Sequence, residues 1–172
     1  CRRFLQPGDI AIDATVGNGH DTLFLAEIVG PEGRVYGFDV QAAALEQARQ
    51  KLGPEYSSRV TLFHNSHAEM KQLIEPAHRG HIKVVMFNLG YLPGGNKEIT
   101  THTESTLNAI EVACELLHPA GLISITAYPG HEAGRHETGA VADFFRDREA
   151  DGWCLETIEA VAESETAPRL FL

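Results

Sequence analysis

The chain has 172 residues, of which 43% are hydrophobic, and this size predicts one globular domain with a full core. Its formal net charge of −10 argues against a general nucleic-acid coat, because phosphate binding relies on clustered lysines and arginines. No apolar run approaches the roughly 18 residues that cross a bilayer, so we expect no membrane segment. Three widely separated cysteines, an odd number, indicate reduced thiols rather than a disulfide framework.

Strand-like and helical segments alternate along most of the chain. Strands rich in β-branched or aromatic residues are predicted at 9–15, 34–40, 59–65, 83–89 and 121–128. Helices are predicted between and after them, at 20–30, 41–53, 66–77, 104–118 and 137–152. This alternation predicts a parallel sheet that is covered by helices on both faces.

The end of the chain departs from this alternation. Residues 153–163 and 168–172 have the composition of two strands joined by a short polar turn. A parallel sheet ending in an antiparallel hairpin is typical of the class I methyltransferase variant of the doubly wound fold. We therefore expect an α/β, Rossmann-like, mostly parallel seven-stranded sheet in one domain over residues 1–172. Because the chain begins at Cys1 without a methionine, we also expect a trimmed protein that lacks an N-terminal helix.

Helix boundaries carry their own signals. Gly30, Gly53 and Gly152 stand where C-terminal caps are expected. Thr101 and Glu104 have the spacing of a capping box, which predicts the start of the fourth helix.

The segment DATVGNGHDT follows the first strand and opens the first helix. Gly17 and Gly19 allow a sharp turn and a close approach to a ligand at the helix N-terminus. A dinucleotide fingerprint would place a third glycine where this chain has Thr22. The spacing Asp13-x-x-x-Gly17-x-Gly19 suits S-adenosylmethionine better, with Asp13 facing the ammonium of its methionine part directly or through water. An ordinary strand-to-helix turn is the alternative for this loop when it is taken alone.

Further cofactor residues are predicted along the same edge. Asn18 and Asp21 are expected at the methionine end, and Thr22 beside them in a structural role. Asp39, at the end of the second strand, is expected to accept hydrogen bonds from both ribose hydroxyls. Its alternative role, which does not exclude the first, is to cap the helix that begins near Gln41.

The third strand ends in HNSHAEM, and in this fold the residues after that strand border the adenine. Ser66 and His67 are therefore candidates for the adenine subsite, as Gln41 and Asn88 are for other parts of the cofactor. A helix-capping or surface role is the alternative for His67.

The segment NLGYLPGG, residues 88–95, follows the fourth strand. It is close to the Asn/Asp-Pro-Pro-Tyr/Phe loop of methyltransferases that act on nitrogen. In that comparison Asn88 supplies an amide oxygen and Leu89 a backbone carbonyl to the target amine, while Tyr91 stacks on the base. Leucine and Gly90 in place of two prolines make the loop more permissive. A connecting turn with a buried tyrosine is the alternative.

The segment AYPGHEAG follows the fifth strand and brings two candidate proton acceptors, Tyr128 and His131, to the same edge. No metal is expected, because the histidine pairs lack the helical spacing and flanking glutamate of a zincin. Lys97, His102 and Arg135 are weak candidates for RNA phosphates, or else scattered surface charges.

The motifs DATVGNGHDT, FDVQ, HNSH, NLGYLPGGNKEITT, TESTL and AYPGHEAG occur in this order along almost the whole chain, which thereby resembles the YtqB/MnmM-type proteins. The resemblance implies an S-adenosylmethionine-dependent tRNA methyltransferase that converts wobble 5-aminomethyl-2-thiouridine to 5-methylaminomethyl-2-thiouridine. It also implies a homodimer that binds a tRNA anticodon stem-loop, and the reduced thiols noted above predict a cytoplasmic protein. The alternatives are an rRNA methyltransferase and an N-methyltransferase for a small-molecule or protein amine. An NAD-dependent enzyme or a nucleotide-binding domain without chemistry is disfavoured by Thr22 and by a loop after the fourth strand that suits an amine.

Overall fold

The protein is built around one mixed sheet. The structure, a computed structural model, describes residues 1–91, 100–159 and 166–172. In these ranges the sheet has seven strands in the order β3-β2-β1-β4-β5-β7-β6. β1 to β5 are parallel, and β7 runs antiparallel to both of its neighbours, as predicted. The strands are β1 (Ile10–Asp13), β2 (Arg34–Phe38), β3 (Val60–Phe63), β4 (Ile82–Asn88), β5 (Leu117–Ala127), β6 (Thr157–Glu159) and β7 (Arg169–Phe171).

Helices cover both faces of the sheet. Successive strand residues point to opposite faces, so each buried strand supplies two separate cores. One core packs α1 against Ala11, Val35 and Val84, and the other packs α3, α4 and α5 against Ile12 and Val85. In the described ranges no helix is long and apolar enough to span a membrane. The helices are α1 (His20–Val29), α2 (Ala42–Leu52), α3 (Met70–Leu73), α4 (Thr103–Leu116) and α5 (Glu132–Arg148).

The third predicted helix is much shorter than expected. A 3₁₀ turn over His67–Glu69 leads into the four residues of α3, and the chain is extended again at Ile74. Glu75 precedes Pro76, and a residue before proline is disfavoured in the helical region. The predicted helix over 66–77 is therefore wrong beyond its first turns.

The predicted capping box at Thr101 and Glu104 is also wrong. α4 begins at Thr103, and its N-cap residue His102 makes no side-chain capping bond. The Thr101 hydroxyl instead donates to Glu137 on α5. α5 itself begins five residues before its predicted start, because His131 caps it through Nδ1.

The strand ends differ from prediction mainly in β5. This strand begins at Leu117, which pairs with Ile82, and the register shifts before the next pair, Val84 with Leu122. Pro119 lies in that irregular part, where the sheet does not need a hydrogen bond from the N–H group that proline lacks.

The C-terminal hairpin is confirmed, although residues 160–165 of its predicted first strand and turn lie outside the described residues. The predicted caps at Gly30, Gly53 and Gly152 are confirmed, the last one closing a 3₁₀ turn after α5.

A buried carboxyl lies beneath the turn between β1 and α1. Asp13 is fully buried, its Oδ2 accepts from the Thr22 hydroxyl at 2.5 Å, and its Oδ1 accepts from the Thr15 N–H at 3.2 Å. Burial raises the pKa of Asp13 from 3.8 to about 7, and the negative charge of Asp21 adds to this rise, while the Thr22 hydrogen bond opposes it. The carboxyl ties the start of α1 to the end of β1.

Two glycines of α5 provide a matched test of how closely this helix packs against the loop after β5. A Cβ at Gly134 would lie 2.2 Å from the Tyr128 carbonyl oxygen, whereas a Cβ at exposed Gly139 would meet nothing within 4 Å. We expect Gly134→Ala to lower the free energy of unfolding by about 1–3 kcal/mol, because the helix must shift away from the loop. Gly139→Ala should raise it by about 0.5–1 kcal/mol, the usual gain in helix propensity. Urea titrations in which both variants move the same way would contradict this packing.

Asp13 makes stability depend on pH in a stated direction. Between pH 3.8 and about 7 the folded protein holds a proton that the unfolded chain has lost, so stability falls as pH rises through this window. Asp13→Asn removes the ionisation and should therefore reduce the decrease in the free energy of unfolding with pH. For one proton this decrease reaches ~1.4 kcal/mol per pH unit. The measurement is chemical denaturation from pH 4 to 8. Asp143→Asn, at an exposed carboxylate on α5, should keep the original slope, and an Asp13→Asn protein that also keeps it would show that Asp13 ionises normally.

Candidate active site

A cavity of about 1390 Å³ opens at the carboxyl ends of the parallel strands. It lies where the sheet order reverses between β1 and β4, which is where open α/β sheets bind ligands. Most of the predicted site residues line it together: Gly17, Asn18, Asp21, Asp39, Gln41, Ser66, His67, Asn88, Leu89, Tyr91, His102, Tyr128 and His131.

Asp39 joins the first loop to the start of α2. Its Oδ2 accepts from the Gly17 N–H at 2.8 Å, and its Oδ1 accepts from the Gln41 N–H at 2.8 Å. The second bond lies at Gln41, the N-cap residue of α2, so Asp39 holds the chain at the start of that helix without capping its first turn. Each carboxylate oxygen retains a further lone pair, so the same side chain can accept hydrogen bonds from a ligand in the cavity.

Asn18 presents the clearest unmet hydrogen-bonding need in the cavity wall. Its Oδ1 is buried and has no partner among the residues that the structure describes. Buried polar atoms are almost always paired, and such an atom in a cavity wall marks a place where a ligand donor is expected. An ammonium group would satisfy it.

Three residues of the predicted cofactor loop do not line the cavity. Asp13 and Thr22 lie beneath the loop and bond to each other, so Asp13 has no direct route to a ligand in this geometry. Gly19 has φ +76°, and a Cβ there would lie 2.8 Å from the Ala48 backbone. This glycine therefore lets α1 and α2 approach each other, in place of the predicted approach to a ligand.

The turn after β3 supplies an oriented histidine. His67 is buried, and its Nδ1 donates to the Ala14 carbonyl at 3.2 Å. Burial lowers the pKa of His67, although the bond to Ala14 opposes this, so the ring is neutral and its Nε2 is a hydrogen-bond acceptor. Ser66 caps the short turn through the Ala68 N–H. The alternative surface role for His67 is wrong.

Asn88 is held by contacts to two other elements. Its backbone N–H donates to the Thr15 hydroxyl at 2.7 Å, and its side-chain Nδ2 donates to the Asp21 carboxylate. The first bond links the end of β4 to the end of β1. The second fixes which end of the amide faces α1.

Two exposed tyrosines stand at the mouth of the cavity. Tyr91 is 41% exposed and Tyr128 is 44% exposed, so the buried tyrosine of the alternative interpretation is wrong, while residues 92–99 of that segment lie outside the described residues. The His131 ring lies 6.3 Å from the Tyr91 ring, tilted by 35°. Exposed aromatic faces of this kind are suitable platforms for a nucleobase.

The capping bond of His131 fixes its tautomer. Nδ1 accepts from the Gly134 N–H at 3.0 Å, so a neutral ring carries its proton on Nε2. The nitrogen that remains free is then a donor. His131 could accept a proton only by giving up the cap of α5, which argues against its predicted role as a proton acceptor.

The sequence did not reveal the polar contacts that hold the base of the loop after β4. Gly90 and Thr101 exchange hydrogen bonds, and Tyr91 and Thr100 form an isolated antiparallel bridge. The Thr101 hydroxyl also donates to the buried carboxylate of Glu137, which accepts from Thr106 as well. The sequence does contain a signal for the burial of Glu137. It lies four and eight residues before the core residues Val141 and Phe145, and this spacing places all three on one face of α5.

The candidate RNA contacts are scattered. His102 lines the cavity, and Arg135 is exposed on α5 but does not line it. Lys97 lies outside the described residues. Among the residues that are described, no three His, Cys, Asp or Glu side chains could hold a metal ion together.

Comparison with known proteins places this geometry among methyltransferases. A tRNA (mnm(5)s(2)U34)-methyltransferase of Arabidopsis thaliana, described as chloroplastic, is 40% identical over 158 residues, which are 87% of this chain and 57% of that protein. The chain thus spans little more than half the length of that relative.

Two solved structures share the fold. A "putative rRNA-methylase" from Clostridium thermocellum is 37% identical with a TM-score of 0.92, over 99% of this chain and 90% of the other. A "putative methyltransferase" from Streptococcus mutans, solved in complex with SAH, is 31% identical with a TM-score of 0.85, over 99% and 90%. A family model described as "Putative rRNA methylase" matches residues 35–172. The chain belongs to this family of class I methyltransferases, as its motifs predicted.

Proposed function

We propose that this chain is an S-adenosylmethionine-dependent N-methyltransferase that converts the wobble 5-aminomethyl-2-thiouridine of tRNA to 5-methylaminomethyl-2-thiouridine. The observation that carries the proposal is that Asn88 and Tyr91 share one cavity with the glycine loop and Asp39. The name of the Arabidopsis relative states the N-methylated nucleoside, mnm(5)s(2)U34, and this supports the choice of substrate.

The cavity residues suit the cofactor. The unpaired Asn18 Oδ1 can accept from the ammonium of the methionine part, and Asp39 can accept from the ribose hydroxyls with its remaining lone pairs. The acceptor nitrogen of His67 and the hydroxyl of Ser66 border the place for adenine. The bound cofactor supplies an electrophilic methyl group, so the protein needs no metal for this chemistry.

The reaction end then has to orient an amine. Asn88 Oδ1 and the Leu89 carbonyl accept its hydrogen bonds and align its lone pair with the methyl group, and this positioning supplies most of the catalysis. The two exposed tyrosines hold the base by stacking. The target amine must lose one proton in the reaction. Because His131 keeps Nδ1 in its capping bond, we assign that proton to water at the mouth of the cavity, with the Tyr128 hydroxyl as a relay.

The acidic chain favours local recognition of RNA over general phosphate binding. His102 at the cavity and Arg135 on α5 are the described candidates for phosphate contacts. Capture of a flipped base in the cavity supplies the remaining recognition of the RNA. On the family resemblance we further propose a homodimer, and on the free thiols a cytoplasmic location. The family description supports a second candidate, methylation of ribosomal RNA.

The test of the substrate is mass spectrometry of tRNA nucleosides from cells with and without the protein. We expect the deletion to accumulate 5-aminomethyl-2-thiouridine and to lose its N-methylated product, and we expect the wild-type gene to restore it. An unchanged tRNA profile with a methyl group missing from ribosomal RNA would replace this substrate by the second candidate.

Asn88→Ala tests the chemistry at the end of β4. The amide interaction is made mainly in the transition state, so kcat should fall on the order of 10²–10³-fold, far more than cofactor affinity changes. The measurements are single-turnover methylation of an anticodon stem-loop and calorimetry with S-adenosylmethionine. Asn108→Ala, at an exposed amide on α4, is the matched control. Near-normal turnover, or a loss explained by cofactor binding alone, would remove this residue from the chemistry.

A further inference from the structure

The side chains of Asp21 and Asn88 meet at the inner wall of the cavity. Asp21 lies in the first turn of α1, Asn88 is the last residue of β4, and both are half-buried and line the cavity. The Asn88 Nδ2 donates to the Asp21 carboxylate. An ionised carboxylate only accepts hydrogen bonds, so the NH₂ end of the amide must face it. The Oδ1 of Asn88 is then the end that remains for the cavity.

Both partners are held in place by regular structure. The first turn of a helix favours a carboxylate, because its unpaired N–H groups carry partial positive charge. Asn88 is paired with Thr126 in the sheet, and its N–H is bound by the Thr15 hydroxyl. The pair can therefore keep one geometry while a substrate enters and leaves.

We propose that Asp21 is a positioning residue that fixes the amide orientation of Asn88, so that Oδ1 and not the NH₂ group meets the substrate amine. This inference rests on the proposed function. Without a fixed partner, an amide turns over with little change in shape and presents two donors where the amine needs an acceptor. The role differs from a direct contact with the methionine part of the cofactor, which the sequence predicts for Asp21.

An exchange of the two side chains tests the orientation. Asn88→Asp alone sets two carboxylates against each other, which forces one of them to hold a proton and should lower kcat about 10- to 100-fold. Asp21→Asn alone leaves the Asn88 amide free to turn and should lower kcat by a similar factor. In the double variant Asp21→Asn/Asn88→Asp the new amide donates to the new carboxylate, whose second oxygen faces the amine. We expect it to exceed the Asn88→Asp single variant by about tenfold or more.

Cofactor affinity separates positioning from direct cofactor binding. Calorimetry with S-adenosylmethionine should give the same affinity, within about twofold, for Asp21→Asn and the wild type. An exchange variant no more active than Asn88→Asp, or an Asp21→Asn protein that loses cofactor affinity as much as kcat, would overturn the proposal.

A second readout needs neither RNA nor turnover. In ¹⁵N spectra of the wild type, the Asn88 side-chain amide should be shifted by its charged acceptor, and Asp21→Asn should move it. Asp143→Asn, at an exposed carboxylate of α5, should leave it in place. An Asn88 amide that does not respond to Asp21→Asn would also overturn the proposal. If the wild type methylates no stem-loop, the proposed substrate fails, while this spectral test still decides whether Asp21 holds the Asn88 amide.

Discussion

The hydrogen bond from the Asn88 N–H to the Thr15 hydroxyl joins the two halves of the site. Thr15 belongs to the loop that suits the cofactor, and Asn88 begins the loop that suits the amine. β1 and β4 are paired neighbours in the sheet, and this bond extends their contact beyond the end of β1, where the sheet order reverses. In the proposed reaction, the separation of methyl donor and acceptor therefore depends on the rigid sheet more than on either loop.

The acidic side chains near the Asn88–Thr15 hydrogen bond have different environments and different structural roles. Asp13 is fully buried with a pKa raised to about 7, and it holds the start of α1 from beneath. Asp21 and Asp39 line the cavity and are each fixed by hydrogen bonds. Glu137, buried on α5, holds the base of the loop after β4 through Thr101. A sulfonium or an ammonium in the cavity would meet negative charge already in place, which suits the proposed reaction.

Sequence patterns alone predicted the order of strands and helices, because burial on two faces makes each parallel strand a short apolar run. They also predicted which residues gather in the cavity, since the carboxyl ends of parallel strands share one edge. Asn88, Asp39 and Asn18 were placed in this way. Helix ends were predicted where glycine marks them, as at Gly30 and Gly53, and missed at Thr101, where a distant partner takes the hydroxyl.

The orientation of polar groups was decided only by tertiary structure. Gly19 matches a ligand loop in sequence, yet it serves helix packing, because its neighbour Ala48 comes from α2. The structural role expected for Thr22 is present, but its partner, the buried carboxyl of Asp13, was not predicted. His131 was a plausible proton acceptor until its Nδ1 was found to cap α5. A sequence fixes which atoms can donate or accept hydrogen bonds. It does not fix which of them are already used, because those partners lie far away along the chain and meet only when the sheet and helices have packed.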